Sequence, residues 1–178
     1  MDDIKIANMT ALELSKQYAS GMLSPVTVIE AMLHRIDQIN PKINAFHHIA
    51  TDSALRAARE ADKRWNDGKP LSLIDGIPTA IKDGLLMNEI PVYRGSAANA
   101  AESQQWSVDA PVVSRLRENG AVILGKTTMC DYGMLASGYS SKFGLTRNPW
   151  NLDYNSGGSS SGSAAAVAAG ICPIIVGT

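Results

Sequence analysis

The sequence predicts an α/β fold in which helices and strands alternate and pack in layers. Ala110-Pro111 opens an amphipathic helix that Asn119-Gly120 ends, and the short apolar run 121–125 follows at once. That run has the length and the flanks of a buried strand. Near the end of the chain, an alanine-rich helix over residues 164–170 leads into an apolar strand over residues 171–176. A helix followed by a strand, seen twice, is typical of layered α/β folds.

Length and composition predict one globular domain without an internal boundary. The 178 residues are enough for a substantial core, and 45% apolar with 19% charged residues is ordinary for a soluble protein. A formal net charge of −1 offers no basic field for nucleic acid or an acidic membrane. We find no secretory signal and no apolar run of membrane-spanning length, so the expected location is cytoplasmic. The widely spaced Cys130 and Cys172 form neither a disulfide framework nor a zinc site.

The first forty residues predict two helices. Thr10 and Glu13 have the spacing of a capping box, in which each side chain binds the backbone N–H of the other, and they open a helix to about Ser20. Apolar residues at helical spacing predict a second helix over residues 27–39. Asn40-Pro41 is expected to end it, because the residue before a proline avoids helical backbone.

A strand and a charged helix are predicted next. Residues 43–49 look extended, so the adjacent His47 and His48 would point to opposite faces and form a poor metal pair. Residues 51–66 form an alanine-rich helix whose charged side chains face solvent.

Residues 73–83 predict a short apolar strand with Lys82 near its end. A lysine at a strand end usually reaches solvent, unless a partner for it lies elsewhere in the chain. Residues 84–110 predict surface loops, and residues 127–135 predict a further helix.

Residues 120–127 match the phosphate-binding pattern GxxxxGK[ST] letter for letter. That pattern needs a polar, flexible loop after a strand, and the backbone amides of the loop wrap a phosphate. Here the four middle residues are Ala-Val-Ile-Leu and are themselves the predicted strand. We therefore do not predict a nucleotide site.

A stretch rich in glycine and serine, residues 156–163, precedes the alanine-rich helix. Flexible linkers share this composition, but they do not usually run straight into a helix and an apolar strand. Hydroxyls and backbone N–H groups at a helix start suit chemistry on an oxyanion or a hydroxyl nucleophile. Such a serine needs a base, and the three histidines all lie in the first third of the chain. A lysine with a pKa lowered by burial can serve instead, and Lys82 is the best-placed candidate.

Four motifs, taken together, carry the most specific signal in the chain. They are residues 76–83, 125–127, 148–150 and 157–168. In this order and spacing they resemble the amidase signature family, and the resemblance covers nearly the whole chain. It implies an α/β fold in which helices flank a mixed sheet, and hydrolysis of amide bonds by a Ser–Ser–Lys triad. It implies no metal or organic cofactor, because a lysine and two serines suffice.

By this resemblance, Lys82 matches the catalytic lysine and Ser159 the bridging serine, whose peptide bond from Gly158 is cis in the family. Neutral Lys82 would accept a proton, through the Ser159 hydroxyl, from the nucleophilic serine. The resulting alkoxide would attack the amide carbonyl and give an acyl-enzyme that water hydrolyses. Ser160 matches a position that usually supports the lysine by hydrogen bonding. Ser161 stands where the family more often has glycine, a difference that matters because serine resists positive φ.

In the family, the nucleophile lies in a Gly-Thr-Asp-x-Gly-Gly-Ser segment, and Gly177-Thr178 matches its first two residues. The resemblance thus implies an N-terminal portion of the fold, incomplete in this chain, with two of the three triad members. We expect the chain alone to be inactive, and to need the C-terminal part or to self-associate, because strand edges and apolar faces would be left open. The alternative is a non-catalytic interaction or regulatory module that keeps part of the fold.

The expected partner is a small-molecule amide, with neither nucleic acid nor membrane. In the family, the acyl pocket draws on loops before the serine stretch, here around Met134 to Ser140, and on the C-terminal part. Aliphatic amides, aryl amides, a dicarboxylic half-amide and an ammonia donor of the glutaminyl-tRNA type all stay open as substrates.

Overall fold

The computed structural model describes residues 3–88, 90–99 and 107–178 and has the predicted α/β fold with a mixed sheet. In chain order, the helices and strands are α1 (Asp3–Ala7), α2 (Ala11–Ala19), α3 (Pro25–Ile43), β1 (Phe46–Ile49), α4 (Thr51–Asn66), β2 (Pro78–Lys82), α5 (Pro111–Glu118), β3 (Val122–Thr127), β4 (Tyr139–Ser140), β5 (Gly144–Leu145), β6 (Arg147–Asn148), β7 (Asn151–Asn155) and α6 (Ser161–Ala168). A one-turn 3-10 helix, Asp131–Gly133, lies between β3 and β4.

The central sheet has the strand order β1-β3-β2. β3 pairs antiparallel with β1 and parallel with β2, so the sheet is mixed. Every residue of β2 and β3 is buried, which suits the nearly continuous apolar sequence predicted for an interior strand. The parallel pairing places Lys82 opposite Thr127, at the ends of the two strands.

Helices cover both faces of this sheet. Alternate residues of β2 and β3 belong to two different apolar clusters, because successive side chains of a strand point to opposite faces. Ala80 and Leu124 pack in a large cluster with α2, α3, α4 and α6, whereas Ile81 and Ile123 pack in a small cluster with Val113 of α5. The expectation that helices flank the sheet is therefore confirmed.

An N-cap residue precedes each of the helices α2 and α3. Thr10 Oγ1 accepts a hydrogen bond from the Glu13 N–H at 3.2 Å, and the Glu13 carboxylate accepts one from the Thr10 N–H at 2.7 Å, so the predicted capping box is confirmed. α3 begins at Pro25, slightly before the predicted start. The reason is that Ser24 caps it, accepting a hydrogen bond from the Thr27 N–H at 3.0 Å.

The prediction that α3 ends at Asn40-Pro41 is wrong, because the helix continues past Pro41. Burial of Ile43 in the large apolar cluster holds the last turn of α3 in place. Asn40 fixes the chain that follows the helix. Its side-chain oxygen accepts from the N–H groups of Ala45 and Phe46, both at 2.8 Å, and its side-chain amide donates to the Phe46 carbonyl at 3.1 Å. Asn44, at φ 52°, then ends the helix in the left-handed region that asparagine tolerates. β1 consequently starts later than the predicted strand over residues 43–49.

The prediction of a helix over residues 127–135 is also wrong. Thr127 is the last residue of β3 and pairs with Lys82 on one side and Phe46 on the other. Sheet pairing thus fixes the start of this segment in an extended form. Further on, Tyr132 has φ 51°, which interrupts helical backbone and leaves only the 3-10 turn.

Two other predicted strands are shorter in the structure. Residues 73–76 form a turn before β2, held by Asp75, which accepts a hydrogen bond from the Leu71 N–H at 2.8 Å. Of residues 171–176, only Val176 pairs with the sheet, through one parallel bridge to Ile81. Pro173 has no N–H to donate to a strand neighbour, so this segment does not form a regular ladder.

The remaining predicted elements agree with the structure. α4 and α5 lie where helices were predicted, and α6 begins three residues earlier than predicted, at Ser161. The described part of residues 84–110 is without helix or strand, apart from an isolated bridge between Met87 and Ile90; residues 89 and 100–106 lie outside the described residues. In the described ranges, no helix is both long and apolar enough to cross a membrane.

Replacing Asn40 by alanine should lower the free energy of unfolding by about 2–4 kcal/mol, because two backbone N–H groups lose their acceptor. Urea denaturation followed by circular dichroism measures the change. Gln38→Ala, at an exposed position of the same helix, should change the free energy by less than about 0.5 kcal/mol. Equal losses for the two variants would contradict the role given to Asn40.

Candidate active site

Lys82 and Ser159, the two residues predicted to be catalytic, are in contact although 77 positions separate them in the chain. Lys82 lies at the end of β2 with only 1% of its surface exposed. Its Nζ is 2.8 Å from Oγ of Ser159 and 2.6 Å from Oγ1 of Thr178, and both contacts are hydrogen bonds. The lysine therefore does not reach solvent, and its partner comes from the serine stretch.

The surroundings of Lys82 favour loss of its proton. Burial lowers the pKa of Lys82 below its ordinary value of 10.5, and nearby Cys130 opposes part of this shift. Among the described residues, no carboxylate lies within ion-pair distance of Nζ. The lowered pKa favours the neutral amine of Lys82, which is the form that can accept a proton.

The serine stretch turns sharply just before α6. The peptide bond between Gly158 and Ser159 is cis. α6 begins at Ser161, whose Oγ donates to the Thr128 carbonyl at 3.3 Å, and the Gly162 N–H donates to the same carbonyl at 3.0 Å. Because Thr128 directly follows β3, these bonds fix the start of α6 at the end of the sheet. Ser161 has helical backbone, so serine at this position needs no positive φ.

Ser163 ties α6 to two further segments. Its Oγ accepts a hydrogen bond from the Thr127 hydroxyl at 2.7 Å and donates one to the Val176 carbonyl at 3.1 Å. Helix α6, strand β3 and the segment before Thr178 are therefore held together around Lys82.

Ser160 contacts Thr178 rather than Lys82. Its Oγ accepts a hydrogen bond from the Thr178 N–H and donates one to the Thr178 carbonyl, both at 3.1 Å. The Thr178 hydroxyl is hydrogen-bonded to Lys82. Ser160 therefore contacts Lys82 indirectly, through Thr178, and not by the direct hydrogen bond that was expected.

The segment after β3 forms a wall beside Ser159. The Cys130 N–H donates to the Ser159 carbonyl at 3.4 Å, and a Cβ added to Gly133 would lie 3.7 Å from Ser159 Oγ. Gly158 packs so closely on the Ser137 carbonyl that a Cβ would lie 2.5 Å from it. Large side chains stay exposed along this wall, namely Tyr132, Met134, Leu135 and Tyr139. The segment predicted to contribute to an acyl pocket therefore lies next to the serine stretch.

Sequence reasoning missed the contact between Lys82 and Thr178. The two residues are 96 positions apart, and no spacing rule connects them. In the structure, the bridge between Val176 and Ile81 places the residues that follow each of them side by side.

The match to GxxxxGK[ST] belongs to the sheet, as predicted. Residues 122–127 are strand β3, and Lys126 Nζ donates to the backbone carbonyls of Asp83 and Leu85 at 2.9 and 2.6 Å. Within the described part of the chain, no group of three or more His, Cys, Asp or Glu side chains is placed to hold a metal ion.

Comparison with known proteins identifies the family. A sequence model described as Amidase matches residues 27–178, most of the chain. This chain belongs to the amidase family. The resemblance drawn from the four sequence motifs is thereby confirmed.

Relatives within the amidase family include components of amidotransferases. A glutamyl-tRNA(Gln) amidotransferase subunit from Thermobifida fusca (strain YX) is 41% identical over 174 residues, which are 98% of this chain and 34% of that protein. The corresponding subunit from Acidothermus cellulolyticus (strain ATCC 43068 / DSM 8971 / 11B) is 43% identical over 169 residues, 95% of this chain and 33% of that protein.

Solved amidase structures share the fold. A fatty acid amide hydrolase superposes with a TM-score of 0.92 at 31% identity, over 98% of this chain and 31% of that one. The peptide amidase from Stenotrophomonas maltophilia superposes with a TM-score of 0.85 at 34% identity, over 94% of this chain and 35% of that one. The chain thus spans about a third of the length of the amidase relatives that it matches.

Replacing Gly162 by alanine should destabilise the protein by about 1–3 kcal/mol, because the new Cβ would lie 2.2 Å from the Ala45 carbonyl oxygen and 2.5 Å from the Thr128 nitrogen. The start of α6 would have to move away from the sheet. Thermal denaturation measures the effect. The matched control is Gly84→Ala, whose Cβ would meet only the flexible end of Met129, with Sδ at 3.1 Å, and should cost less. A loss for Gly162→Ala no larger than that for Gly84→Ala would contradict the close packing of α6 on the sheet at Gly162.

Proposed function

We propose that this chain carries the lysine and the bridging serine of a Ser–Ser–Lys triad that hydrolyses carbon–nitrogen amide bonds through an acyl-enzyme. The observation that supports it is the 2.8 Å contact between the buried Nζ of Lys82 and Oγ of Ser159. A buried lysine that meets hydroxyls instead of carboxylates is suited to act as a base. The relatives named above, two amide-cleaving enzymes and components of two amidotransferases, support an amide as the substrate class.

In the proposed reaction, the neutral amine of Lys82 donates a hydrogen bond to Thr178 and accepts one from the Ser159 hydroxyl. Ser159 gives its proton to Lys82 and takes the proton of the nucleophilic serine, whose oxygen then bonds to the amide carbon. The proton returns through Ser159 to the leaving nitrogen as the carbon–nitrogen bond breaks. Water, deprotonated by the same relay, attacks the acyl-enzyme ester, releases the acid and restores the serine.

The proposal places the nucleophile after Thr178, in the family's Gly-Thr-Asp-x-Gly-Gly-Ser segment. These 178 residues alone are then inactive and need that segment from a longer polypeptide or from a second chain. Open sheet edges support this requirement, because unpaired strands recruit others. Among the described residues, the outer side of β2 carries only the bridge to Val176, and β1 pairs only with β3. We propose a cytoplasmic location for the assembled protein.

The roles of Lys82 and Ser159 can be tested by substitution in a polypeptide that joins this chain to the nucleophile segment. Lys82→Ala and Ser159→Ala should each reduce amide hydrolysis by about 10²–10⁴-fold, the range for losing a general base, and should abolish labelling by a fluorophosphonate. Ser156→Ala is the matched control, because within the described ranges that hydroxyl donates to the adjacent Gly157 carbonyl and to neither Lys82 nor Ser159.

Two results would contradict the proposal. Amide hydrolysis by the purified 178-residue chain, lost in Lys82→Ala, would show that the nucleophile lies within it. A completed polypeptide with no hydrolysis and no labelling would favour the non-catalytic interaction module instead.

The rate of amide hydrolysis should rise with pH as Lys82 loses its proton, because only the neutral amine accepts the proton from Ser159. The midpoint should lie below 10.5, since burial lowers the pKa of Lys82. The pH profile of kcat measures this midpoint. A rate of hydrolysis that does not rise with pH below 10.5 would contradict the assignment of Lys82 as the base.

A further inference from the structure

A second buried group of polar side chains lies around the end of β2 and takes no part in the proposed reaction. It consists of His47 from β1, Asp83 directly after Lys82, and Lys126 from β3, and we call it the buried cluster. The side chains of His47 and Asp83 are 4% and 0% exposed, and Lys126 is also fully buried. Burying three polar side chains together costs free energy unless each of them has hydrogen-bond or ion-pair partners. Those partners show which segments of the chain the buried cluster holds in place.

Asp83 is the centre of the buried cluster. Its carboxylate accepts hydrogen bonds from the N–H groups of Tyr93 at 3.1 Å and Gly95 at 2.7 Å, and its Oδ1 lies 3.2 Å from Nε2 of His47. Burial by itself raises the pKa of Asp83, but His47 and the two N–H donors outweigh burial and the net pKa is lowered. Asp83 therefore stays ionised and fixes the loop that contains Tyr93 and Gly95.

Lys126 holds the backbone on the other side of Asp83. Its Nζ donates to the carbonyls of Asp83 and Leu85, and the Asp83 N–H donates to the Thr127 carbonyl at 3.0 Å. The backbone turn that follows Lys82 is therefore held by hydrogen bonds to the Lys126 amine. Burial lowers the pKa of Lys126 to about 8, although Asp83 opposes the shift.

Other charged and aromatic groups surround the buried cluster. The His47 ring stacks on Phe143 at 4.3 Å and meets the edge of Tyr93, over which Lys142 Nζ lies at 4.6 Å. His48, the next residue of β1, pairs with Lys126 of β3, and burial, followed by His47 and Lys126, lowers the pKa of His48. The ring stack holds the imidazole of His47 beside Asp83.

From Asp83, hydrogen bonds continue to the wall beside Ser159. The Gly95 carbonyl accepts from the Ser140 hydroxyl at 2.5 Å, and the Arg94 carbonyl accepts from the Tyr132 N–H at 2.7 Å. Tyr132 and Ser140 belong to the segment that packs against the serine stretch. One set of contacts therefore joins the backbone at Lys82 to the wall at Ser159.

We propose that His47, Asp83 and Lys126 are positioning residues for Lys82 and Ser159. The buried cluster fixes the backbone from which Lys82 extends and, through the Tyr93–Gly95 loop, the wall next to Ser159. The catalytic meaning of this inference rests on the proposed function. The coupling between the backbone at Lys82 and the wall next to Ser159 can nevertheless be measured in the chain without an amidase assay.

The first measurement is hydrogen–deuterium exchange in Asp83→Asn, which keeps the shape of Asp83 and removes its charge. Exchange should accelerate on the order of tenfold at Tyr93 and Gly95, the scale of losing a hydrogen bond to a charged group, and also across residues 130–142. Rates are taken relative to the amides of β3. The matched control is Asp75→Asn, since Asp75 is equally buried, pairs with Arg64 and accepts from the Leu71 N–H.

The second measurement is the titration of Lys82 with pH, followed by the NMR chemical shift of its Cε, because Lys82 is buried and a reagent would not reach it. Loss of a nearby negative charge lowers the pKa of a lysine, whereas release from burial raises it. A positioning role predicts that the midpoint of Lys82 rises towards 10.5 in Asp83→Asn and stays unchanged in Asp75→Asn. The sign of the shift therefore separates positioning from a pure charge effect.

Faster exchange confined to Tyr93 and Gly95, or a midpoint of Lys82 that falls or does not move, would overturn the proposal. Equal acceleration of residues 130–142 in Asp75→Asn would overturn it as well. If Asp83→Asn does not fold, His47→Phe decides by the same two readouts, because it keeps the ring stack on Phe143 and removes Nε2. A failed amidase assay leaves both readouts intact, so the two proposals fail separately.

Discussion

The burial of one amine at the end of β2 is the constraint on which the site depends. Moving a charged amine out of water costs several kcal/mol, and a protein can offset this with a counter-charge, with backbone acceptors, or by favouring the neutral form. This chain uses all three. Arg64 pairs with the buried carboxylate of Asp75, and Lys126 donates to two backbone carbonyls. In the part of the chain that the structure describes, Lys82 Nζ hydrogen-bonds to the hydroxyls of Ser159 and Thr178, which can exchange protons with an amine. Its chemistry therefore differs from that of Arg64 and Lys126.

The mixed sheet makes this arrangement possible. The parallel pair β2 and β3 ends at one level, so Lys82 and Thr127 lie side by side, and α6 is bonded to the residue that follows β3. Ser159 is then brought to Lys82 by backbone geometry and not by the reach of a flexible loop. Sites built on the ends of regular elements hold their groups more closely than sites on loops alone.

Much of this could be predicted from the sequence, and the failures have a common cause. The helices α2, α4, α5 and α6, the buried strand β3, and the pair Lys82 and Ser159 all follow from local patterns or family motifs. The errors arose where tertiary contacts override a local rule: burial of Ile43 in the core keeps α3 helical past Pro41, and sheet pairing extends Thr127. The contact between His47 and Asp83 was beyond reach for the same reason, since adjacent histidines on a strand carry no sign of which one meets a carboxylate. Local propensity is a weak prior against such tertiary contacts.

The unequal apolar clusters on the two faces of the sheet imply an order of local unfolding. The face covered by α2, α3, α4 and α6 has a broad core, whereas the face under α5 rests on a few side chains around Val113. Regions with fewer buried contacts open at lower free energy than the rest of a domain. Judged by the described residues, the α5 layer should therefore open at a lower free energy than the opposite face, and Lys82 is held by Ser159, which lies just before α6 on that opposite face.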